Sequence, residues 1–557
     1  MSDISEKTPA KELPARRNPE RYDALLKEYT QAKAYKDKYI TPKNEEVVNL
    51  VLPEYGEFGS DPDWEDMRYD SIGTECLVQL ADGMYGNLTP SSKMWFRYQF
   101  EDDALSKSSA GGGYLEKLTQ HMVGVFNRST YYDAGPEFLQ IGAGFGPSSL
   151  DIHEDKMDEV IVCRNENPRA VFIVENSRGQ VRTIFVRRFY HPSQAVEEFG
   201  REALAPEIVR LYDQGNDDAE YEFIESVRRN VNADPTKPKE ARYWPFIEEV
   251  FMLGDSQKSI LRTTYARTFS KPTWRWKTRA GNPYGWAGLT NAMPDIRTAN
   301  QIVRTWLMNL QKAADPATWD PEEGRSWSRD PGARNYYRDP NRRGFSDQVP
   351  SMTPHIEATL EFIHQRVRQA LKVDAFLMLM QIEAQMTARE VVERKREGMT
   401  VVSATLGKFE TEGLDLLHGR FLSIEAAAGR LPELPDELAG KKLKVEYLGP
   451  ISQMQREIYI EQGIVSALEA AAPVFTLWPE TRAKLNPSLL IDRIWAANAA
   501  PTDALRTEKQ YQDALQKQAE AAAAAEQKLQ AAELGKGLDP NKKPQAGSLG
   551  SKMMGGE

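Results

Sequence analysis

This sequence has few cysteines, no long apolar runs and no N-terminal stretch that resembles a leader. The two cysteines, Cys76 and Cys163, lie far apart and match no metal-ligand spacing, which predicts small buried residues in a reducing compartment. No segment reaches the roughly 18 consecutive apolar residues that a membrane-spanning helix requires, and the N-terminus has no apolar stretch of the kind found in signal peptides. We therefore expect no membrane partner and synthesis in the cytoplasm, with the protein either used there or built into something assembled there.

Positive charge is also in deficit, because 71 Lys and Arg residues stand against 82 Asp and Glu residues, for a net charge of −11. Such a chain is a poor candidate for tight electrostatic capture of DNA or of an anionic membrane, although a local basic patch is compatible with it. The chain has 557 residues, of which 40% are apolar. It is too long for one ordinary core, so about two to four domains are expected.

The short motifs that specify common enzymes are missing as well. No G-x-x-x-x-G-K-[ST], H-E-x-x-H or G-x-S-x-G sequence is present. The glycine-rich stretch 142–146 has its third glycine one residue early for a dinucleotide-binding fingerprint, so a plain turn is expected. One acidic cluster could bind a cation, but a solvated loop is the commoner outcome; it comprises Asp61, Asp63, Glu65 and Asp66. We predict a protein that is not an enzyme and holds no cofactor or metal ion.

The first half of the chain is expected to form an α+β body after a loose arm over residues 1–18. The sequence predicts a charged helix at 21–38 and further helices at 74–84, 114–129, 194–199 and 206–214. Runs of β-branched and aromatic residues predict strands at 95–100, 160–162, 171–174, 181–189, 220–231, 243–252 and 259–276. Turn sequences separate the three runs between 159 and 190, which favours a three-stranded meander. We expect helix 74–84 to close at Gly83 or Gly86, and residues 106–113 to form a flexible loop.

Two long amphipathic helices, one over 294–315 and one from 353 onward, flank a segment poor in apolar residues at 317–350. This pattern indicates a paired-helix stalk with a small module at its tip. The segment mixes aromatic and basic residues, which suits docking of a protein or contact with DNA, whereas the plainer alternative is a solvated, loosely folded loop. Its docking candidates are Trp319, Trp327, Arg329, Tyr336, Tyr337, Arg338, Arg342 and Arg343.

The stretch 360–424 is the one around which the rest of the chain is organised. Apolar residues recur at helical spacing, become continuous over 376–380, and resume after Gly398 in a helix that contains Gly407 and Gly413. Each interior glycine costs roughly 1 kcal/mol relative to alanine, so a bend or a mobile joint is expected. Further along, the sequence predicts a strand at 443–447, helices at 451–472 and 504–534, and a disordered tail at 535–557.

Several segments, taken in order over roughly residues 20 to 515, resemble the portal, or head-to-tail connecting, proteins of short-tailed bacteriophages. No single segment is decisive, but the ordered series is specific. The segments are 80–92 followed by Trp95 and Phe96, 145–146 with 152–154, 282–285 with 292–296, 386–391, 431–435, and 447–451 with Gln453 and Gln455. The family more often has Glu where Arg389 stands, and the segment 317–350 and the C-terminal tail match nothing in it.

The resemblance implies an α+β, mainly helical portal fold in a ring of twelve subunits at one capsid vertex, around a tunnel for double-stranded DNA. The implied partners are other copies of the chain, a terminase, tail adaptors, and the major capsid and scaffold proteins, and the implied location is the virion. After the flexible arm 1–18, the implied parts are the wing 19–290, stem helices 291–316 and 353–382, the clip 317–352, a wing return with tunnel loop and kinked helix 383–450, the helical crown 451–533 and the tail 534–557.

The residues around the implied tunnel loop are the candidates for contact with DNA. They are Arg394, Lys395, Arg396, Thr400, Val401, Val402, Ser403 and Lys408. The four basic residues could equally form ion pairs between neighbouring subunits. An acidic subunit repeated round a ring would lower the friction on a sliding polyanion, because contacts between basic residues and phosphates create salt-sensitive attachment.

Two other functions remain compatible with the sequence. One is a different structural protein of the virion, from the tail or the internal ejection apparatus, which would have elongated helices but form no ring. The other is a DNA-processing enzyme with an unrecognised metal site among the acidic loops, which would cleave DNA in a metal-dependent manner.

Overall fold

The structure is a computed structural model, and it describes residues 11–449 with gaps, together with residues 471–472. The gaps are 14–15, 57–67, 107, 156, 238, 321–327, 337–344, 347–352 and 375–406. The chain divides into two compact units, Met1–Gln455 and Arg456–Glu557, and almost all of the described residues belong to the first. Among these residues, none of the helices combines the length and the apolar character needed to cross a membrane.

The described chain alternates helices with mostly short strands. The helices are α1 (Pro19–Tyr39), α2 (Thr41–Leu50), α3 (Ile72–Leu88), α4 (Asp103–Ser106), α5 (Ser109–Arg128), α6 (Tyr131–Phe145), α7 (Pro192–Phe199), α8 (Pro206–Asp213), α9 (Met293–Ala314), α10 (Thr353–Ala370) and α11 (Asp415–Ala428). The strands are β1 (Lys11–Leu13), β2 (Arg16–Arg17), β3 (Phe96–Phe100), β4 (Pro147–Asp155), β5 (Val160–Asn165), β6 (Val171–Glu175), β7 (Val181–Tyr190), β8 (Tyr221–Arg229), β9 (Phe246–Met252), β10 (Ser259–Ile260), β11 (Arg262–Ala266), β12 (Thr273–Arg275), β13 (Thr318–Asp320), β14 (Arg334–Tyr336), β15 (Phe345–Ser346) and β16 (Leu443–Tyr447).

The largest sheet is antiparallel and has the strand order β1-β11-β9-β8-β7-β6. Helix α1 covers one face of it, because Leu25 and Tyr29 pack with Phe172 and Phe185 in a buried apolar cluster. Strand β1 pairs with β11 at the sheet edge, within the segment that was expected to be a loose arm. The expected three-stranded meander is wrong: β5 pairs with β4 in a second sheet, ordered β12-β4-β5, while β6 pairs with β7.

The main apolar core lies where helices α3, α5, α6 and α11 meet strands β3 and β4. Helix α6 packs so closely on β12 that a β-carbon added at Gly142 would overlap the Trp274 ring. His418, on α11, is fully buried among aromatic rings, and this burial lowers its pKa to about 3. Both cysteines are buried, as the sequence predicted. This core fixes the elements that carry the candidate sites.

Three local expectations fail because tertiary packing extends helices past glycines. Helix α3 does not close at Gly83 or Gly86 but runs on to Leu88. The expected flexible loop at 106–113 includes the start of α5, which begins at Ser109. The stretch 142–146 is the end of α6 rather than a plain turn, and only its last residue, Gly146 with φ 100°, leaves the helix. The mixture of helices and mostly antiparallel sheets agrees with the α+β class. The expected helix 504–534 lies outside the described residues.

Candidate functional site

Helices α9 and α10 form the hairpin that the sequence predicted, and they pack side by side. Ile296 and Val303 on α9 and Ile363 and Val367 on α10 are buried. An ion pair of 3.1 Å between Asp295 and Arg366 also joins the two helices. The regular spacing of these apolar residues explains why the amphipathic pattern was readable, since three- and four-residue steps place them on one face of a helix.

Polar contacts fasten the middle of this hairpin to the residues just before α3. The side-chain oxygen of Asn300 accepts hydrogen bonds from the backbone amides of Tyr69, at 2.6 Å, and Asp70, at 3.2 Å. His364 Nε2 lies 2.8 Å from Oδ2 of Asp70. One carboxylate and one amide thus connect both helices to the same short segment, which fixes the direction in which the hairpin leaves the body.

Both helices of the hairpin present apolar side chains to solvent. The exposed fraction is 39% for Leu307, 48% for Met308, 44% for Leu310 and 59% for Phe362. Single exposed apolar residues are normal on soluble proteins, but several together on one structure often mark a surface that another protein covers. These exposed residues of the hairpin therefore mark a candidate interface.

A small three-stranded sheet stands beyond the end of α9. Strand β13 lies at its centre, parallel to β14 and antiparallel to β15, so that Trp319 is opposite Asn335 and Phe345. The amide of Asn335, which is fully buried, donates to the carbonyl of Ser328 and accepts from its backbone amide, both at 2.6 Å. These bonds close the loop before β14 and show that the described part of the segment is folded rather than loose.

The base of this module is a tight junction at the end of α9. The backbone amide of Gly332 donates to the carbonyl of Asp315 at 2.8 Å. Gly332 has φ 71°, and a β-carbon there would overlap the Asp315 carboxylate. Only glycine satisfies both conditions without strain, so the geometry of the junction depends on this residue.

The structure describes three of the eight docking candidates, whose role stays a prediction. Trp319 and Tyr336 are half-buried on β13 and β14, and Arg329 is exposed on the loop before β14. The other candidates lie outside the described residues; they are Trp327, Tyr337, Arg338, Arg342 and Arg343. The described residues therefore bring Trp319 and Tyr336 onto adjacent strands.

The glycine-bearing helix after residue 406 contains the irregularity that the sequence indicated. Residues Glu410–Leu414 form a π-helical turn that leads into α11. Gly413 lies in this turn, and a β-carbon there would be 3.2 Å from the ring of Phe409. Phe409 in turn packs edge-on against Trp274 with ring centroids 5.0 Å apart. The turn thus forms where a bulky aromatic contact fixes the helix against β12.

A buried arginine holds this turn against the large sheet. Arg275, which is fully buried, pairs with Glu175 and, at 2.8 Å, with Glu412. It also donates to the carbonyl of Gly179 at 2.9 Å. Although burial disfavours its charge, Glu412 and Glu175 raise the pKa of Arg275, so it stays charged. Because a planar guanidinium can bond to several acceptors at once, one side chain joins the β6–β7 turn to the π-helical turn.

Lys408 is the one tunnel-loop candidate that the structure describes. Its Nζ lies 2.9 Å from Oε1 of Glu412, four residues along the chain, so it forms an ion pair within its own subunit. The remaining candidates lie outside the described residues; they are Arg394, Lys395, Arg396, Thr400, Val401, Val402 and Ser403.

A buried cluster of charges, which the sequence did not reveal, joins the two main sheets. Lys271 Nζ, fully buried, lies 2.8 Å from Asp151, 3.0 Å from Glu166 and 3.2 Å from Glu225. Arg188 contacts the same three carboxylates at 3.0, 2.6 and 3.2 Å. The five residues come from separate elements, so no spacing pattern marked them. The one signal available was the presence of charged residues within apolar β-rich runs.

This cluster has the carboxylates of a cation site but already contains its cation. One carboxylate oxygen from each of Asp151, Glu166 and Glu225 lies within 4.8 Å of the others. The Lys271 ammonium bonds to all three, so a metal ion would have to displace it. Burial opposes ionisation of Asp151, but Lys271 and Arg188 outweigh it and lower its pKa to about 2. Burial raises the pKa of Glu166 to about 7, against the opposing charge of Lys271. These contacts favour a structural role.

Comparisons with known proteins agree with one another. A family model described as "Bacteriophage head to tail connecting protein" matches residues 22–505. The chain is 26% identical over 447 residues to a probable portal protein of Bordetella phage BPP-1, covering 78% of this chain and 80% of that protein. It is 25% identical over 487 residues to a portal protein of Salmonella phage epsilon15, covering 84% of this chain and 85% of that one.

Proposed function

The chain belongs to the family of bacteriophage head to tail connecting proteins, and from this premise we propose that it is a portal, a ring of identical subunits at one vertex of the virion capsid that conducts double-stranded DNA. The two relatives described above are named a probable portal protein and a portal protein, and the match with this chain covers at least 80% of each. The proposed ring has twelve subunits, the number that the family resemblance implies. It would assemble in the host cytoplasm with the capsid and scaffold proteins and conduct DNA during both packaging and ejection.

The helical hairpin is the observation that supports a ring most directly. Ile296, Val303, Ile363 and Val367 are buried in the subunit, whereas Leu307, Met308, Leu310 and Phe362 are exposed. A second copy of the hairpin would cover the exposed residues and remove their apolar surface from water, which is favourable at about 25 cal/mol per Å². In the proposed assignment, α9 and α10 are the stem helices and these exposed residues are part of the contact between neighbouring subunits.

The small module beyond α9 corresponds to the proposed clip, the docking site first for the terminase and then for the tail adaptors. Its described residues support this role because they form a folded sheet with Trp319 and Tyr336 on adjacent strands. The body from α1 to β12 corresponds to the proposed wing. The sequence has no P-loop, so we assign ATP hydrolysis during packaging to the terminase rather than to this chain.

The experiment that tests this function is native mass spectrometry of the purified full-length protein, with negative-stain images of the same sample. Closed rings of about a dozen subunits with a central hole are the expected result. The variant Met308→Glu with Phe362→Glu should reduce ring formation, since it would place charges in the contact between neighbours. The matched control is Met157→Glu with Val231→Glu, which adds the same two charges at exposed positions in turns of the body. Small dimers or open fibres from the wild type would contradict the proposal, as would ATP hydrolysis at motor-like rates.

A further inference from the structure

A groove of about 820 Å³ between the large sheet and the π-helical turn is lined by several basic residues. Four basic residues from different parts of the chain border it: Arg178 in the β6–β7 turn, Arg229 at the end of β8, Arg279 after β12, and Lys408 before the π-helical turn. The three arginines are exposed to solvent. Two acidic residues, Glu175 and Glu412, also border the groove.

The acidic residues that border the groove do not neutralise these arginines. Glu175 and Glu412 are both bound by the buried Arg275, and Glu412 is shared with Lys408. Within the described ranges, no ion pair is formed by Arg178, Arg229 or Arg279. Arg275 also holds the β6–β7 turn through the carbonyl of Gly179, so the walls of the groove are fixed relative to one another before any ligand binds.

Besides the apolar Val181 and Leu416, several neutral side chains that border the groove are hydrogen-bonding ones of the types that contact phosphate oxygens. They are Asn176, Ser177, Gln180, Thr278 and Thr411. The two aromatic residues at the groove, Phe246 and Phe269, are not exposed: the first is half-buried and the second buried. The groove thus offers donors for a polyanion but no exposed ring on which a base could stack.

We propose that this groove binds the phosphate backbone of double-stranded DNA without reading its bases. This inference rests on the proposed conduit function and adds a contact on the folded body of the subunit, apart from the segment expected to form the tunnel loop. Arginine suits the task because its planar guanidinium bonds to phosphate oxygens in a bidentate manner. Contacts of this kind are independent of sequence, which a conduit requires.

An acidic segment of a neighbouring subunit is the competing occupant. A segment that brings one carboxylate into the groove would leave at least one of the three exposed arginines without a partner. A nucleic acid strand instead presents phosphates at regular intervals along its length, so it can engage arginines that lie on three separate elements at the same time. The distribution of the charges therefore favours DNA.

The test compares three forms of the full-length protein for binding of a fluorescently labelled DNA duplex over a series of salt concentrations. One form is the wild type, and the second carries Arg178→Gln, Arg229→Gln and Arg279→Gln. The third is a control with Arg17→Gln, Arg128→Gln and Arg210→Gln, which removes the same charge from exposed arginines that do not border the groove. Native mass spectrometry records the assembly state of each form.

We expect the groove variant to bind more weakly at low salt than both other forms. The slope of log affinity against log salt should become flatter by up to about 2.7, because each phosphate contact contributes about 0.9. The inference is overturned if the wild type binds no DNA, if the groove variant binds as the wild type does, or if the control loses as much. It is also overturned if the groove variant fails to assemble but still binds DNA as the wild type does. That result would indicate that the groove contacts a neighbouring subunit. Absence of rings in the wild type counts against the portal function instead.

Discussion

Removing the buried lysine of the charge cluster is the sharpest perturbation of this fold. Lys271→Met keeps the length of the side chain but deletes a charge that is completely buried and lies 2.8 to 3.2 Å from Asp151, Glu166 and Glu225. At an effective dielectric constant of about 20, one such contact corresponds to roughly 5 kcal/mol of attraction. Desolvation of the ions offsets much of this. Removing one partner of a buried pair nevertheless costs about 3–5 kcal/mol of unfolding free energy, because three carboxylates would then share Arg188 alone.

The assay is denaturant unfolding of the full-length protein followed by tryptophan fluorescence, since Trp274 lies three residues after Lys271. The double variant Lys271→Met with Glu166→Gln should be more stable than Lys271→Met alone, because it removes one uncompensated negative charge. At unrelated sites, the losses in unfolding free energy from two substitutions usually add. If they add here, the electrostatic account is refuted. A loss of unfolding free energy of less than about 1 kcal/mol for Lys271→Met would also refute the electrostatic account.

The same variant makes a prediction about pH whose sign follows from proton binding. Without Lys271, the carboxylates of Asp151 and Glu166 lie close together in a buried site with less positive charge, so burial should raise their pKa values in the folded protein above those in the unfolded chain. The folded state then binds more protons than the unfolded state, and stability falls as pH increases. The deficit relative to the wild type should therefore be larger at pH 8 than at pH 5. An equal deficit at both values would contradict the reasoning.

Three further changes test packing at single positions. Gly142→Ala should lower the unfolding free energy by about 1–3 kcal/mol, measured by denaturant unfolding, because the added methyl group overlaps the Trp274 ring. Gly332→Ala should expose the small module to limited proteolysis while the body stays intact, since φ is 71° there and the Asp315 carboxylate blocks a β-carbon. Asn335→Ala should speed amide hydrogen exchange in the module, because its buried side chain makes two hydrogen bonds of 2.6 Å, each worth about 1 kcal/mol.

Local sequence signals were enough to predict the helices whose packing faces are regular. Helix α1 was expected at 21–38 and spans Pro19–Tyr39, and α9 was expected at 294–315 and spans Met293–Ala314. Both have a proline in their first turn and an apolar stripe, which are signals carried within the segment itself. The pairing of α9 with α10 followed from the same stripes, because two amphipathic faces joined by an insert can bury each other.

Helix α6 was not predicted, because its signals contradict one another within the sequence. It contains Pro136, Gly142 and Gly144, which disfavour a helix in water. The helix forms in the folded protein because its small residues let it pack closely on neighbouring elements, as the contact of Gly142 with Trp274 shows. That contact joins residues 132 positions apart, so no local window contains both partners.

Long-range pairing also explains why the sequence did not reveal the charge networks. Lys271 and Arg275 are four residues apart and both fully buried, yet they bond to different sets of carboxylates. In a solvated loop the same residues would indicate only surface charge. Their function as cross-links arises because a buried cation must find acceptors, and the acceptors are supplied by strands and turns that meet only after folding. A charged residue inside a β-rich run is therefore the sequence signal for such a cross-link, but its partners can be named only from the structure.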